Sequence, residues 1–279
     1  MLRRPAVAGQ FYPASKTHLE SEVKKYLTAG IKPRDVIGII SPHAGYVYSG
    51  HVAGAVFASV DVPEKVIVLS PNHTGLGKPA SIMPEGQWEI PTGIMQIDSE
   101  LAGELMKNCS ELAADITAHL KEHSLEVQLP FIQDRQPKAK IVPITLSHLR
   151  FDVCEKIGHA IAKTIKELSP SPLMGEGRGE GGRVLIVASS DMTHYEPHEI
   201  AKEKDMRAIN KVIALDPKGL LDLCARERIT MCGVIPSAVM LIAAKELGAK
   251  KGELIKYATS GDVSGDYSSV VGYAGVIVH

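Results

Sequence analysis

Three stretches of the 279-residue chain are apolar without alternation: Val36-Ile37-Gly38-Ile39-Ile40, Val66-Ile67-Val68-Leu69 and Val184-Leu185-Ile186-Val187. Short β-branched runs bounded by turn residues predict buried strands. Lys140 to Leu146 is a further strand, although Pro143 argues against an unbroken central ladder. Elsewhere the period is helical. Asp152 to Leu168 puts Val153, Ile157, Ile161, Ile165 and Leu168 on one stripe. Thr17 and Glu20, at capping-box spacing, open a helix with Leu19, Val23 and Leu27 inward and Gly30 as its C-cap. Ser49 caps a second helix, containing His51, Val52, Val56 and Phe57. Asp98 caps a third through Met106, and Glu122 to Gln133 reads as a fourth that Pro130 kinks or starts. Glu199 to Leu215, Pro217 to Arg228 and Pro236 to Leu247 predict three more, with Asp216-Pro217 as a cap followed by proline at the first position. Ile82 to Ile97 reads as short strands or a hairpin, and Leu254 to Thr259 and Ser269 to Val278 as strands. Alternating strands and helices predict an α/β fold, a three-layer αβα sandwich around a mixed, mostly parallel sheet. Ser169 to Arg183 (SPSPLMGEGRGEGGR) breaks the pattern. Rich in glycine and proline and nearly devoid of apolar side chains, residues 169–183 read as a flexible surface insertion within a single domain spanning 1–279.

Candidate chemistry appears where the strands stop. The first run ends at Ser41-Pro42 and is followed by His43, the second runs into Ser70-Pro71-Asn72-His73, and the third into Ser189-Ser190-Asp191-Met192-Thr193-His194. In open α/β sheets ligands bind beyond the carboxyl ends of the strands. If the three strands are parallel neighbours, their histidines share one edge. A single buried histidine satisfied by a carbonyl is common, but two convergent imidazoles at matching strand ends point to metal ligation. Asp191 and His194 read either as a helix cap beside an exposed histidine or as a general acid/base pair next to a metal. Cys232, in Met231-Cys232-Gly233 before a proline-started helix, is either a core thiol or a ligand whose thiolate faces a helix N-terminus. Glu122-His123 reads as a solvated helix start or as a group orienting the site and lining its pocket. Tyr46 and Tyr48 follow His43 on its loop and are candidates for the pocket entrance. The repeat Ser260-Gly261-Asp262-Val263-Ser264-Gly265-Asp266 lacks the spacing and bidentate glutamate of an EF-hand and reads as a turn beside the pocket.

Composition changes this picture little. Hydrophobic residues make up 44% and charged ones 23%, an ordinary globular balance that can bury a substantial core. A net charge of −1 gives no reason to expect a nucleic-acid surface. Eleven histidines favour a metal or acid/base site. Cys109, Cys154, Cys224 and Cys232 show no CxxC pairing, so free thiols are expected rather than a disulfide framework. Neither a signal-peptide core nor an uninterrupted apolar membrane span is present, which predicts a cytoplasmic location and no membrane partner.

Taken in order, RRPAVAGQFYP, SPHAGYVYSG, SPNHTG, EHSLEVQLPF, ASSDMTHY, MCG and SGDVSGDYSSVVGYAGV resemble the signature blocks of the Memo-like proteins. Bacterial and archaeal members are called AmmeMemoRadiSam system protein B. The blocks run from residue 3 to residue 276, nearly the whole chain, and SPSPLMGEGRGEGGR matches none of them.

That family is similar in fold to the class III extradiol dioxygenases, non-haem iron enzymes that cleave catechol rings. The resemblance implies metal ligation by His43, His73 and Cys232, with Asp191 and His194 as the nearby acid and imidazole. Where the dioxygenases use two histidines and a carboxylate, this chain offers two histidines and a thiolate, a softer set compatible with iron, copper or zinc. One transition metal ion is therefore expected, iron or copper favoured, with redox or oxygen chemistry on an unidentified small molecule. Two other functions follow from the same resemblance. Animal members are associated with phosphotyrosine peptides, which would make the pocket a binding module. The bacterial name implies a radical-SAM partner, for which this chain would be an accessory factor, because it lacks the CxxxCxxC cluster motif.

Overall fold

A computed structural model describes residues 1–27, 32–168 and 182–279. The predicted C-cap Gly30 and most of the 169–183 insertion lie outside the described residues. Strands in the first half are β1 (Leu2–Arg3), β2 (Gly38–Ser41), β3 (Lys65–Pro71), β4 (Ala80–Ile82), β5 (Gln87–Ile90), β6 (Gly93–Ile97) and β7 (Ala113–Ala114). The rest are β8 (Lys140–Leu146), β9 (Val184–Ser189), β10 (His194–Glu196), β11 (Gly252–Thr259) and β12 (Val270–Val278). Helices α1 (Lys16–Tyr26), α2 (Tyr46–Ala58), α3 (Ser99–Asn108), α4 (Leu129–Arg135) and α5 (Phe151–Leu168) precede α6 (His198–Ile213), α7 (Pro217–Glu227) and α8 (Val234–Glu246).

The strands join in one mixed sheet of order β1-β5-β6-β8-β3-β9-β2-β12-β10. The run β6, β8, β3, β9, β2 is parallel, and β12 closes antiparallel on β2. Alternate side chains of these strands enter two separate cores. Ile40, Ile67, Leu69, Val142, Ile144 and Ile186 pack with α3, α5, α6, α7 and α8. Ile39, Val66, Val68, Ile141, Leu185 and Val187 pack with α1, α2 and α4 on the other face. Covering both faces is why the strands read as unbroken apolar runs, and it makes the three-layer sandwich expected from the sequence. Among the described residues no helix is long and apolar enough to cross a membrane.

Several local expectations need correcting. Pro143 does sit in a central strand. Strand β6 pairs with β8 at Lys140 and Ile141, and β4 takes over at Ile144, so the proline falls at the changeover, where no ladder N–H is needed. Its carbonyl still accepts from Met83 N–H at 3.1 Å. Ser49 does not cap a helix; α2 begins three residues earlier, with Gly45 at its N-cap, and Ser49 lies buried inside it, donating to the Ala44 carbonyl at 2.8 Å. Thr17 lies within α1, whose N-cap is Ser15, and no capping-box bond forms. Glu122 to Gln133 is not one helix. Glu122 and His123 are irregular, Ser124 and Leu125 form a turn, a short 3-10 segment covers Glu126–Gln128, and α4 then starts with Pro130 in its first turn. Asp98 and Asp216 cap α3 and α7 as expected, accepting from the Leu101 and Gly219 amides at 3.1 and 2.8 Å.

Candidate metal centre

The register of the parallel strands builds the site. Ser41 pairs with Ser189 and Ser70 with Thr145, so β2, β9, β3 and β8 end level in a row of hydroxyl side chains. His43, Asp191 and His73 follow within two residues of β2, β9 and β3. Their convergence at one sheet edge is a consequence of strand order.

Ring nitrogens of His43, His73 and His123 all lie within 4.8 Å of one another. The His43 and His73 rings meet edge to face at 5.2 Å between centroids, and His73 and His123 lie at 4.6 Å. His43 is buried, and burial first, then the neighbouring imidazoles, hold its pKa well below the usual value, so the ring is neutral. His73 opens to solvent. Its orientation comes from Glu122, which accepts from the His73 backbone N–H at 2.6 Å and lies 2.8 Å from its Nδ1. Burial alone would raise Glu122, but these bonds and two from Ser124 override it and hold the carboxyl at about 2. A carboxylate only accepts, so His73 carries its proton on Nδ1 and leaves Nε2 free. His123 is less constrained: its Nδ1 stands 3.5 Å from the same Glu122 oxygen, and Phe11 packs on its ring at 4.7 Å. The geometry thus adds His123, a pocket residue in the sequence reading, to the possible ligands.

Cys232 meets this group at His43, its Sγ 3.2 Å from Nε2. The Asp191 N–H points to the sulfur at 3.3 Å. Burial, then the Asp191 charge, push the thiol up, so a metal would have to displace its proton. Gly233 permits the approach. A Cβ there would come within 2.3 Å of the Ser189 carbonyl and 2.4 Å of Ser190 Cβ, neither of which can swing aside. Gly233→Ala is therefore expected to cost about 1–3 kcal/mol in a urea melt by forcing Cys232 away from His43. The other cysteines are buried and free: Cys109 and Cys154 pack with α3 and α5, and Cys224 lies on α7.

Asp191 accepts from the backbone N–H groups of His43 at 2.7 Å and Ala44 at 3.3 Å. Its second oxygen lies 3.9 Å from His43 Nε2, and burial pushes the carboxyl up to about 6. His194 is held by the segment that carries Cys232: its N–H donates to Thr230 Oγ1 at 2.7 Å and its Nδ1 to the Thr230 carbonyl at 3.0 Å. Its Nε2 is thereby left as the ring nitrogen with a free lone pair.

Tyr46 does not line the entrance. It is buried in the core between α1 and α4, its hydroxyl donating to the Val127 carbonyl at 2.7 Å and its ring packing on Phe131. Helical geometry turns Tyr48 the other way, and it is 39% exposed. The glycine-rich repeat forms a short helix at Gly261–Ser264, and Tyr267 after it packs on His198. Ser124, Gln128, Ser189, Thr230 and Phe11 were not singled out from the sequence. The available signal was the recurrence of serine at strand ends and the many polar positions of the 122–128 segment.

Fold and site together define a mixed α/β sandwich with a histidine cluster at its carboxyl edge that could hold a metal ion. The chain belongs to the Memo-like family: the sequence profile described as Memo-like protein matches residues 3–277. It is 41% identical over 291 residues to a MEMO1 family protein of Methanopyrus kandleri, covering 99% of each chain. Over 280 residues it is 42% identical to a MEMO1 family protein of Aquifex aeolicus, covering 99% of this chain and 98% of the relative.

Proposed function

We propose that this chain binds one transition metal ion through His43, His73 and Cys232, with His123 beside them, and supports redox or oxygen chemistry on a small molecule. The observation that carries the reading is the contact of Cys232 Sγ with His43 Nε2 at the edge of the three-histidine group. Two imidazoles and a thiolate suit iron, copper or zinc; iron and copper also supply redox chemistry. Three protein ligands leave a position open, the arrangement of a reactive site rather than a structural one. Around it, His194 offers Nε2 to take or return a proton while Thr230 holds the ring. Asp191 secures the His43 backbone and, with its carboxyl raised toward neutrality, can share that proton. Phe11 and His123 form one wall.

Elemental analysis of the wild type and of His43→Ala, Cys232→Ala and His123→Ala tests the ligand set. The wild type is expected to hold about one metal per chain; the first two variants should hold none, and His123→Ala should keep it. Equal content in all four removes the assignment, and loss in His123→Ala with retention in Cys232→Ala replaces the thiol by the third histidine. With metal bound, His194→Ala is expected to keep the ion and lose about 10²–10⁴-fold in substrate oxidation or O₂ consumption. If it turns over like the wild type, His194 is not the base.

A further inference from the structure

We propose that Ser189 is a positioning residue that sets the tautomer of His43, holding the ring proton on Nδ1 so that Nε2 remains the free donor atom facing Cys232. The argument is a proton count. The Ser189 hydroxyl is fully buried and has one hydrogen to share among three neighbours. They are the Ser124 carbonyl at 2.6 Å, Gln128 Nε2 at 2.9 Å and His43 Nδ1 at 2.9 Å. A carbonyl can only accept, so the hydrogen goes to Ser124. Gln128 presents its NH₂ group, because the same nitrogen also meets the carbonyls of Pro42 at 2.9 Å and Ser41 at 3.4 Å. Turned over, its oxygen would face these oxygens instead. With its hydrogen committed, Ser189 can only accept from His43, and a neutral imidazole has one N–H to give. Nδ1 carries it.

The strands explain why the hydroxyl lies there. Ser189 ends β9 opposite Ser41, two residues before His43, in the β2–β9 register. Ser124 and Gln128 lie in a turn and a 3-10 segment just after Glu122. One stretch of chain therefore fixes both imidazoles: Glu122 acts directly on His73, and Ser124 with Gln128 acts on His43 through Ser189. In the other tautomer His43 would turn an N–H toward Cys232 and would have no lone pair to offer a metal there.

The proposal deepens the metal-site reading, but its first arm needs no metal. A long-range ¹H–¹⁵N spectrum of the metal-free full chain reports histidine tautomers, with His43 identified by the signals lost in His43→Gln. The wild type is expected to show His43 protonated on Nδ1. An Nε2–H ring in the wild type overturns the proposal outright, whatever the variants do. In Ser189→Ala the ring is expected to become mixed or Nε2–H, and Zn²⁺ affinity to fall about 10–100-fold. Ser189→Thr, which keeps the hydroxyl, should restore both. Unchanged tautomer and affinity in Ser189→Ala also overturn it. A wild type that binds no metal removes the functional reading and leaves the tautomer result standing.

Discussion

Arg3→Ala is expected to lower folding stability by about 3–5 kcal/mol, the cost of stranding a buried charge. Arg3 and Glu126 form an ion pair with both side chains fully buried. The guanidinium also donates from Nε to the His119 carbonyl at 3.1 Å and from Nη2 to the Glu122 carbonyl at 2.8 Å, and it lies 4.3 Å from the centre of Trp88. Glu126 accepts in addition from the Ala6 and Val7 amides at 2.8 and 3.1 Å and from the Tyr12 hydroxyl. Buried pairs in other proteins can often be exchanged for apolar residues at little cost. Here that exchange should fail. Arg3→Met with Glu126→Leu would orphan two amides, a hydroxyl and two carbonyls, each costing about 1–3 kcal/mol when buried without a partner. Urea denaturation of the single and double variants checks this, and a double variant as stable as the wild type would refute it. Arg3→Lys should recover only part of the loss, because an ammonium cannot span a carboxylate and two carbonyls in one plane. The anchored segment also delivers Phe11 to His123, so the weakened variants should lose order at the histidine cluster before the sheet melts.

What was legible in the sequence was what depends on period and on chain ends. Runs such as Val66 to Leu69 are apolar at every position because both sheet faces are covered, and such a run predicts its strand without any long-range information. The Ser-Pro and Ser-Ser-Asp terminations then place His43, His73 and Asp191 at strand ends, and parallel neighbours bring those ends together. The features that were misread depend on partners distant in the chain. Glu122 to Gln133 has helical spacing at Leu125, Leu129 and Ile132, yet Glu122 is bonded to His73 and Ser124, and that network replaces the first helical turn. Local propensity cannot register a bond to a residue 49 positions away. Tyr46 shows the opposite failure. Its position beside His43 suggested the pocket entrance, but α2 starts at Tyr46 itself, and helical rotation sends that ring into the core while leaving Tyr48 at the surface. Pro143 is a rule correctly stated and correctly evaded, since the partner strand changes where the N–H is missing. Family resemblance implied a ligand role for Cys232, which spacing alone left open; the structure brings its thiol to 3.2 Å from His43 Nε2, because Gly233 lets two backbones approach.

Glu122→Gln is expected to weaken Zn²⁺ binding by about 10–100-fold and to cost about 1–3 kcal/mol of stability. Glu122 is fully buried and is surrounded by donors only: the His73 backbone N–H and ring Nδ1 at 2.6 and 2.8 Å, and the Ser124 N–H and hydroxyl at 3.0 and 2.7 Å. A carboxylate can accept all four. A glutamine of the same shape must turn an NH₂ group toward at least one of them, so a favourable contact becomes a repulsive one at constant volume. If the amide oxygen stays with Ser124, the His73 backbone N–H faces the NH₂ group. If the amide turns over, the NH₂ group meets the His73 ring and Ser124, and the ring favours the tautomer that protonates Nε2. In either case His73 loses the carboxylate that would make it a better ligand and that fixes its direction. Glu122→Asp retains an acceptor on a shorter arm and should fall between the two, while His123→Gln, which removes a ring that Glu122 does not hydrogen-bond, should leave the affinity near that of the wild type. Competition with a chromophoric chelator gives the affinities, and a thermal melt without metal separates the loss of fold from the loss of ligand. Wild-type affinity in Glu122→Gln would mean that His73 does not ligate through an Nε2 set by Glu122.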